Sequence, residues 1–336
     1  MWKPKPRAWT RTLSSGARGA VLAAAGTALA LALVVSSFAL VGPGHSSAAA
    51  AAIGAVKSGA AGSPGPSAGA SAGGGASAAN RSRPSSLSAT TDADQELSAA
   101  VSSLVSADDG HVSVAVEDLT TGTTASDNVS DDYVTASIVK LDILETLLYR
   151  DQQDGSSPSS AEQTQITAMI ENSDNDAALA LYNEEGGASA ITAADKVFGL
   201  TDTVVYPGAF GDTTTTVTDQ ILLLRQAMTS DSVLTAANRG YIQNLMSNVE
   251  PDQRWGVSAA ADDPSPTADD YLLKNGWLPR SATNLWEINS IGEVEHDGDE
   301  YLVAVLSSDN DSMGSGIAVV QNVAKAAVDS QSAGAS

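Results

Sequence analysis

The chain of 336 residues contains no cysteine and only three histidines. Without cysteine the protein has no disulfide, no thiol nucleophile and no cysteine metal site. The histidines are His45, His111 and His296, and no activated serine accompanies any of them. A Ser-His-Asp triad is therefore not predicted, and His111 and His296 are interpreted as polar surface residues. We expect neither a metal ion nor another cofactor.

Acidic residues are also absent from positions 1–91, whereas residues from Asp92 onward include nine basic and 40 acidic ones, a net charge of −31. A field of that sign repels phosphates, so nucleic acid is not a predicted partner. The change in composition marks a boundary. We expect one folded domain over residues 92–333, preceded over 42–91 by a flexible linker of Ala, Gly, Ser and Pro.

The N-terminus carries an export signal. Residues 1–18 hold five basic side chains, which predicts a cytoplasmic location, and residues 19–41 form an uncharged run rich in Ala, Leu and Val. That run is long enough to span a bilayer, but its small residues and the Ser46–Ala50 stretch also permit cleavage. Membrane anchoring through this helix and secretion after signal cleavage both remain open, and either one places the domain outside the cytoplasm.

The domain has the pattern of an α+β fold. Apolar periodicity predicts an opening helix and strand, a run of helices, three strands and a closing helix. The predicted helices are 94–107, 138–150, 159–172, 176–184, 188–198, 217–228, 232–247 and 317–328, and the predicted strands are 111–117, 270–277, 285–295 and 300–307.

A possible nucleophile precedes the second helix, in Ser137-Ile138-Val139-Lys140. Three-residue spacing places Ser137 and Lys140 on one helix face. A serine hydroxyl becomes a good nucleophile only beside a base, and a lysine with a lowered pKa can be that base. A helix cap followed by a solvent-exposed lysine would produce the same tetrapeptide, so neighbouring motifs must decide between the two interpretations.

Two later motifs supply the other parts of an acyl-transfer site. Ser173-Asp174-Asn175 lies between two predicted helices, where a loop can present Ser173 and Asn175 to a cleft. Lys274-Asn275-Gly276-Trp277 ends a predicted strand. There Lys274 would attract a carboxylate, Gly276 would allow close approach of a ligand, and the Trp277 N–H would donate to an oxyanion. Each motif by itself is compatible with an ordinary turn.

In this order the three motifs resemble those of the penicillin-recognising serine enzymes, most closely the class A β-lactamases, which carry S-x-x-K, S-D-N and K-[TS]-G. The resemblance covers roughly residues 93–330. It implies an antiparallel sheet formed by the N- and C-terminal segments with a mainly helical middle region. It also implies that Ser137 is the acylated nucleophile, with the backbone N–H groups of Ser137 and Trp277 as the oxyanion hole.

The resemblance assigns roles to the remaining site residues. Lys140 would activate Ser137, and Ser173 would relay a proton to the departing nitrogen. Asn175 would hold the amide side chain of the substrate, and Lys274 would bind the substrate carboxylate through its positive charge. Trp255 and Trp286 either line the cleft or belong to the core.

Two departures from the family pattern limit the predicted activity. Asn275 is also assigned to substrate binding, but it replaces the usual Thr or Ser, so the hydroxyl that meets the substrate carboxylate is missing and an amide would donate there with a different geometry. The segment 201–212 contains no counterpart of the glutamate that activates the deacylating water. We assign structural roles to Asp202 and Asp212 at its ends. A positioned base contributes about 10²–10⁴-fold in rate, so slow deacylation is expected.

The sequence therefore predicts an exported, monomeric serine hydrolase that is acylated by β-lactams or related amide and acyl compounds. Two alternatives remain open. One is a D,D-peptidase-like enzyme acting on cell-wall peptides, and the other is a tethered binding domain that has lost turnover.

Overall fold

The computed structural model describes residues 91–105 and 110–334. The chain divides into two units, residues 1–78 and 79–336, and every described residue lies in the second. The predicted basic N-terminus, the apolar run 19–41 and all of the linker except Thr91 lie outside the described residues. Within the described residues, no helix is both long and apolar enough to cross a membrane.

Each end of the described part of the domain consists of one helix and three strands, and six helices and one short strand lie between them. The elements are α1 (Asp92–Leu104), β1 (His111–Asp118), β2 (Thr124–Asp127), β3 (Tyr133–Val134), α2 (Val139–Asp154), α3 (Ser160–Glu171), α4 (Asn175–Glu184), α5 (Ala188–Phe198), β4 (Thr214–Thr215), α6 (Val217–Met228), α7 (Ala236–Ser247), β5 (Tyr271–Pro279), β6 (Trp286–His296), β7 (Asp299–Asn310) and α8 (Met313–Gly334).

Five strands form one antiparallel sheet in the order β2-β1-β7-β6-β5. Strands from both ends of the domain therefore meet in one sheet, and the predicted α+β class with this arrangement is confirmed. Strand β5 lies at an edge, so one side of its backbone is free of sheet partners. A second sheet contains only β3 and β4.

Local capping explains where several helices begin. Thr91 and Asp94 form a capping box at α1, and Ser159 and Glu162 form another at α3. Helix α7 begins later than the predicted residue 232 because the Thr235 side chain accepts a hydrogen bond from the Asn238 N–H and caps the helix there. The predicted start of α7 was therefore wrong by four residues.

The sheet separates two apolar cores. On one face α1 and α8 pack against buried valines of β1 and β7. On the other face α2 is the central element of the helical layer, where every residue from Val139 to Leu148 is buried. A helix buried all round is fixed in position and orientation. Its N-terminal end therefore offers a rigid support for a site at the boundary with β5.

Candidate active site

The Ser137 turn is a short 3₁₀ helix, Ala136–Ile138, that leads directly into α2. Ala136 has a φ of +48°, in the left-handed region that non-glycine residues rarely occupy. Such strain persists only where the surrounding structure holds it, and it frequently marks functional turns. Here it precedes the predicted nucleophile by one residue.

Lys140 is completely buried, and its ammonium nitrogen faces oxygens from two other segments. Lys140 Nζ lies 3.0 Å from Ser137 Oγ and 3.1 Å from Ser173 Oγ. It donates to the Ser173 carbonyl oxygen at 2.6 Å and to Asn175 Oδ1 at 2.7 Å. The lysine therefore does not point to solvent, and it joins the first two motifs.

The turn between α3 and α4 brings the second motif to this lysine. Ser173 has a φ of +56°, and Asp174 caps α4 by accepting a hydrogen bond from the Ala177 N–H at 2.7 Å. With Asp174 used as the cap, Ser173 and Asn175 on either side of it are free to contact Lys140.

A second buried lysine completes the polar network. Lys274 Nζ donates to Ser173 Oγ at 3.1 Å and to the Asn275 carbonyl oxygen at 3.2 Å. Burial, and secondly the positive charge of Lys140, lower the pKa of Lys274 well below its ordinary value. Two ammonium groups sharing one hydroxyl disfavour each other's charge, which favours a neutral amine in this pair.

Gly276 allows β5 to lie directly against the Ser137 turn. A Cβ atom at this position would stand 2.6 Å from the Thr135 carbonyl oxygen and 2.8 Å from the Ser137 nitrogen. Only a residue without a side chain permits this approach. The next residue in the strand is Trp277, so its N–H and that of Ser137 belong to adjacent backbone segments, as an oxyanion hole requires.

The Asn275 side chain points away from this network. It is fully buried, and its amide nitrogen donates to the carbonyl oxygens of Gln253 at 2.7 Å and Trp255 at 2.9 Å. Both amide protons therefore bind backbone, and neither is available to a substrate carboxylate. The sequence pattern singled out Asn275 but did not indicate that its side chain points away from Lys140 and Ser173.

The segment 201–212 is tied down at both of its ends. Asp219 accepts hydrogen bonds from the Asp202 N–H at 2.9 Å and the Thr203 hydroxyl at 2.8 Å. Asp212 pairs with Arg280 at 3.0 Å. The carboxylate of Asp212 is therefore engaged by the side chain of Arg280, which directly follows β5, consistent with the structural role expected for Asp212.

The comparisons with known proteins agree with this geometry. A sequence profile of the beta-lactamase enzyme family matches residues 153–331, more than half of the chain. The chain belongs to the beta-lactamase enzyme family. The matched range contains Ser173 and Lys274, whereas Ser137 and Lys140 precede it. A comparison with curated proteins finds no match.

Solved structures of this family share the fold. A class A β-lactamase from Bacteroides cellulosilyticus superposes with a TM-score of 0.60 at 16% identity, covering 72% of this chain and 99% of that one. The TLA-1 extended-spectrum β-lactamase gives 0.61 at 14%, covering 71% and 99%. A mutant of PBP-A, solved as its acyl-enzyme complex with penicillin G, gives 0.59 at 16%, covering 71% and 97%. The predictions of a β-lactamase-like fold and of a serine hydrolase are confirmed.

The Lys140 pKa fixes the pH dependence expected of this serine hydrolase. Burial lowers the pKa of Lys140 to about 8, and the negative charge of Asp174 offsets part of this shift. Only the neutral amine accepts a proton from Ser137. We therefore expect the acylation rate constant to rise about tenfold per pH unit below pH 8 and to level off above it. Stopped-flow acylation across pH 5–10 measures this profile.

The Asp174→Asn variant tests whether the pH profile of acylation reports the titration of Lys140. Asparagine caps a helix as well as aspartate does but carries no charge, so removing the carboxylate should shift the midpoint to lower pH while α4 is kept. An unshifted midpoint in this variant would assign the titration to a group other than Lys140.

A buried acidic cluster beneath the site was not predicted from the sequence. Asp142 of α2 faces Asp195 of α5, Glu145 lies near Asp142, and all three are almost inaccessible to solvent. Burial raises the pKa of Asp195 to about 7. Burial, and secondly the charge of Asp195, raise the pKa of Asp142 well above its usual value. The folded domain therefore retains protons between α2 and α5 that an unfolded chain releases.

This proton retention makes stability depend on pH. Because the folded pKa of Asp195 exceeds its unfolded value near 4, the unfolding free energy falls as pH rises between these two values, by up to about 1.4 kcal/mol per unit. We expect Asp195→Asn to reduce this dependence, to which buried Asp142 and Glu145 also contribute, and to exceed wild type in stability at pH 8 by at least about 1 kcal/mol. Denaturant unfolding at pH 5 and pH 8 tests it. The exposed Asp252→Asn removes the same charge and should leave the slope unchanged.

Proposed function

We propose that the protein is an exported serine hydrolase that forms an acyl-enzyme on Ser137 with β-lactams or related amide and acyl compounds, and that it releases this intermediate slowly. The observation that carries the proposal is the position of Lys140 Nζ, 3.0 Å from Ser137 Oγ and 3.1 Å from Ser173 Oγ. The nucleophilic hydroxyl and a second hydroxyl thus both lie within hydrogen-bond distance of one amine, whose pKa is lowered and which can act as the base.

The geometry supports a simple order of proton transfers. Neutral Lys140 accepts the hydroxyl proton of Ser137 as Oγ attacks the acyl carbon. The N–H groups of Ser137 and Trp277 donate to the oxyanion that forms. When the bond to the leaving group breaks, Ser173 donates its hydroxyl proton to the departing atom and regains one from Lys140. Lys140 is then neutral again, and the acyl group remains on Ser137.

Slow release follows from the segment 201–212. It contains no glutamate, and its two aspartates are at the ends, where Asp212 pairs with Arg280. Without a carboxylate aimed at the ester, water must be activated by Lys140 or remain unactivated. A missing general base costs about 10²–10⁴-fold. This feature also favours the second candidate function, a D,D-peptidase-like enzyme that acts on cell-wall peptides, because such an enzyme need not release penicillin quickly.

A binding domain without chemistry is the less favoured alternative. Such a domain would have no need to bury Lys140 among Ser137, Ser173 and Asn175, since burying an amine is costly. The complete proton-transfer network supports catalysis. Export rests on the sequence of residues 1–41, and the monomeric state stays a prediction.

Intact-mass measurement with a fluorescent penicillin tests the proposed function. We expect an adduct that persists after excess reagent is removed, and no adduct on Ser137→Ala. The exposed Ser103→Ala is the matched serine control and should be acylated like wild type. Rapid turnover without an adduct would contradict slow release. Neither adduct nor hydrolysis, with penicillin or with its uncharged esters, would contradict the proposal and favour the binding domain.

A further inference from the structure

One face of strand β5 meets the Ser137 turn. Side chains alternate along a strand, so Lys274, Gly276 and Leu278 lie on the same face. Arg280 directly follows the strand, and because its N–H still donates across the hairpin, it continues this alternation. Gly276 is the residue that approaches the Ser137 turn. The face therefore runs from Lys274 at one end to Arg280 at the other, with the Ser137 turn between them.

The opposite face of β5 belongs to the other core. Trp277 alternates with Gly276, so its ring points away from the Ser137 turn. That ring meets the ring of Trp255 at a centroid distance of 6.0 Å, and both pack, as Trp286 does, against the core beneath α1 and α8. Trp255 and Trp286 are therefore assigned to the core and not to the cleft.

A second segment, Phe210–Asp212, approaches the Ser137 turn from the other side. A Cβ atom on Gly211 would lie 4.0 Å from the Ala136 carbonyl oxygen, whereas one on Gly276 would lie 2.8 Å from the Ser137 nitrogen. These two atoms belong to one peptide unit, and in a trans peptide they point in opposite directions. Residues 210–212 and 276–280 are therefore the two walls of a gap above the Ser137 turn, which we call the acyl slot.

An ion pair ties the two walls together. Arg280 Nη1 lies 3.0 Å from Asp212 Oδ1, and Arg280 Nε lies 3.7 Å from Glu287 Oε1. Glu287 is paired with Leu278 in the register of β5 and β6, so it shares the face that carries Arg280. The guanidinium is thus held from both sides. The spacing between the walls is therefore set by the contact between Asp212 and Arg280, which we call the bridge.

The bridge lies on the acyl side of the site. Lys274 Nζ is 3.1 Å from Ser173 Oγ, the proposed proton donor to the leaving group, so the leaving group lies toward Lys274. The acyl portion then extends from Ser137 in the opposite direction, toward Arg280. Four extended residues separate Gly276 from Arg280, a length of about 13 Å. This placement rests on the proposed function.

We propose that the acyl slot accepts compact acyl groups and disfavours bulky ones, and that Asp212 and Arg280 are the positioning residues that set its width. The substrate class is thereby narrowed to acyl compounds with a small substituent beside the reacting carbonyl. Both side chains of the bridge are partly exposed, and a pair of this kind contributes a factor of about five at most. Removing the charge of one partner should change specificity by about that factor.

Three penicillins with acetyl, phenylacetyl and 2-ethoxynaphthoyl side chains provide matched probes. They share one nucleus and one carboxylate, so they differ only on the acyl side. Each second-order acylation rate constant, read by intact mass, is divided by the rate constant for alkaline hydrolysis of the same compound, which removes intrinsic reactivity. We expect the normalised constant to be at least about fivefold larger for the acetyl than for the 2-ethoxynaphthoyl compound. A smaller ratio would overturn the proposal.

Variants separate positioning from simple structural support. Asp212→Asn should lower this acetyl-to-naphthoyl ratio about fivefold, and Arg280→Ala, which also vacates space, about tenfold. Arg280→Lys keeps a cation within reach of Asp212 and should stay near the wild-type ratio. Asp329→Asn breaks a comparably exposed ion pair with Lys325 on α8 and should leave the ratio unchanged. If the bridge only supported folding, both rate constants would fall together and the ratio would persist, which contradicts the positioning role.

Failure of this inference can be told from failure of the proposed function. Adducts on wild type with a ratio below about fivefold would overturn the inference and keep the proposed function. If wild type forms no adduct, calorimetric binding of the three penicillins to Ser137→Ala decides instead. Tighter binding of the acetyl than of the 2-ethoxynaphthoyl compound would then support the inference without the chemistry. Equal binding, or none, would overturn it.

Discussion

Replacing Lys140 with methionine is expected to lower the rate constant for acylation of Ser137 by about 10²–10⁴-fold, the contribution of a positioned general base. Methionine keeps most of the buried length of the side chain but cannot accept a proton. The nearest alternative base, Lys274, contacts Ser173 rather than Ser137. The measurement is the time course of adduct mass under single-turnover conditions.

The controls for this prediction separate chemistry from folding. Near-ultraviolet circular dichroism should show a folded Lys140→Met domain, because the change removes a buried amine rather than apolar packing. Lys196→Ala alters an exposed lysine of α5 and should acylate at the wild-type rate. Acylation of folded Lys140→Met at the wild-type rate would eliminate this lysine as the base.

Gly276→Ala should have the second-largest effect, because it combines a loss of reactivity with a loss of stability. The added Cβ would meet the Thr135 carbonyl oxygen at 2.6 Å and the Ser137 nitrogen at 2.8 Å, and both are backbone atoms. Either β5 or the Ser137 turn must move. A displacement of about 1 Å in a reacting group costs about 10²-fold in rate, and forced overpacking costs about 1–3 kcal/mol of stability.

Gly240→Ala is the matched glycine control for this prediction. Gly240 lies in α7, and apart from its chain neighbours and the backbone of its own helix no heavy atom lies within 4 Å of the position its Cβ would take. That variant should be stabilised by about 0.5–1 kcal/mol through helix propensity and should keep full acylation. Acylation rates and denaturant midpoints of the two variants test the contrast. Unimpaired acylation by Gly276→Ala would show that β5 does not form one side of the site.

Most of the secondary structure could be predicted because it follows from local patterns. Alternating valines of β1 and the apolar periodicity of α6 predicted both elements close to their observed bounds. Strand β2 was not predicted, since Thr124–Asp127 is short and polar, and its extended form depends on pairing with β1. The small sheet of β3 and β4 likewise depends on residues about 80 positions apart.

The residue types of the site could be predicted from the sequence, but the directions of some side chains could not. Spacing alone placed Ser137 near Lys140, and motif order pointed to Ser173, 33 residues beyond the lysine it contacts. The direction of Asn275 depends on carbonyl groups of a separate segment around Trp255, which no local pattern of β5 reveals. The contact between Asp142 and Asp195 depends in the same way on how α2 packs on α5. The apolar residues around each of them favour burial but do not show that the two carboxyl groups face each other.

Locating the acyl group by peptide mapping tests the central claim most directly. The protein is incubated with benzylpenicillin and separately with its benzyl ester, digested, and sequenced by tandem mass spectrometry. We predict a single acylated residue, Ser137, and its loss in Lys140→Met. An acyl group on any other residue, or none with either reagent while a control β-lactamase reacts, would contradict the account.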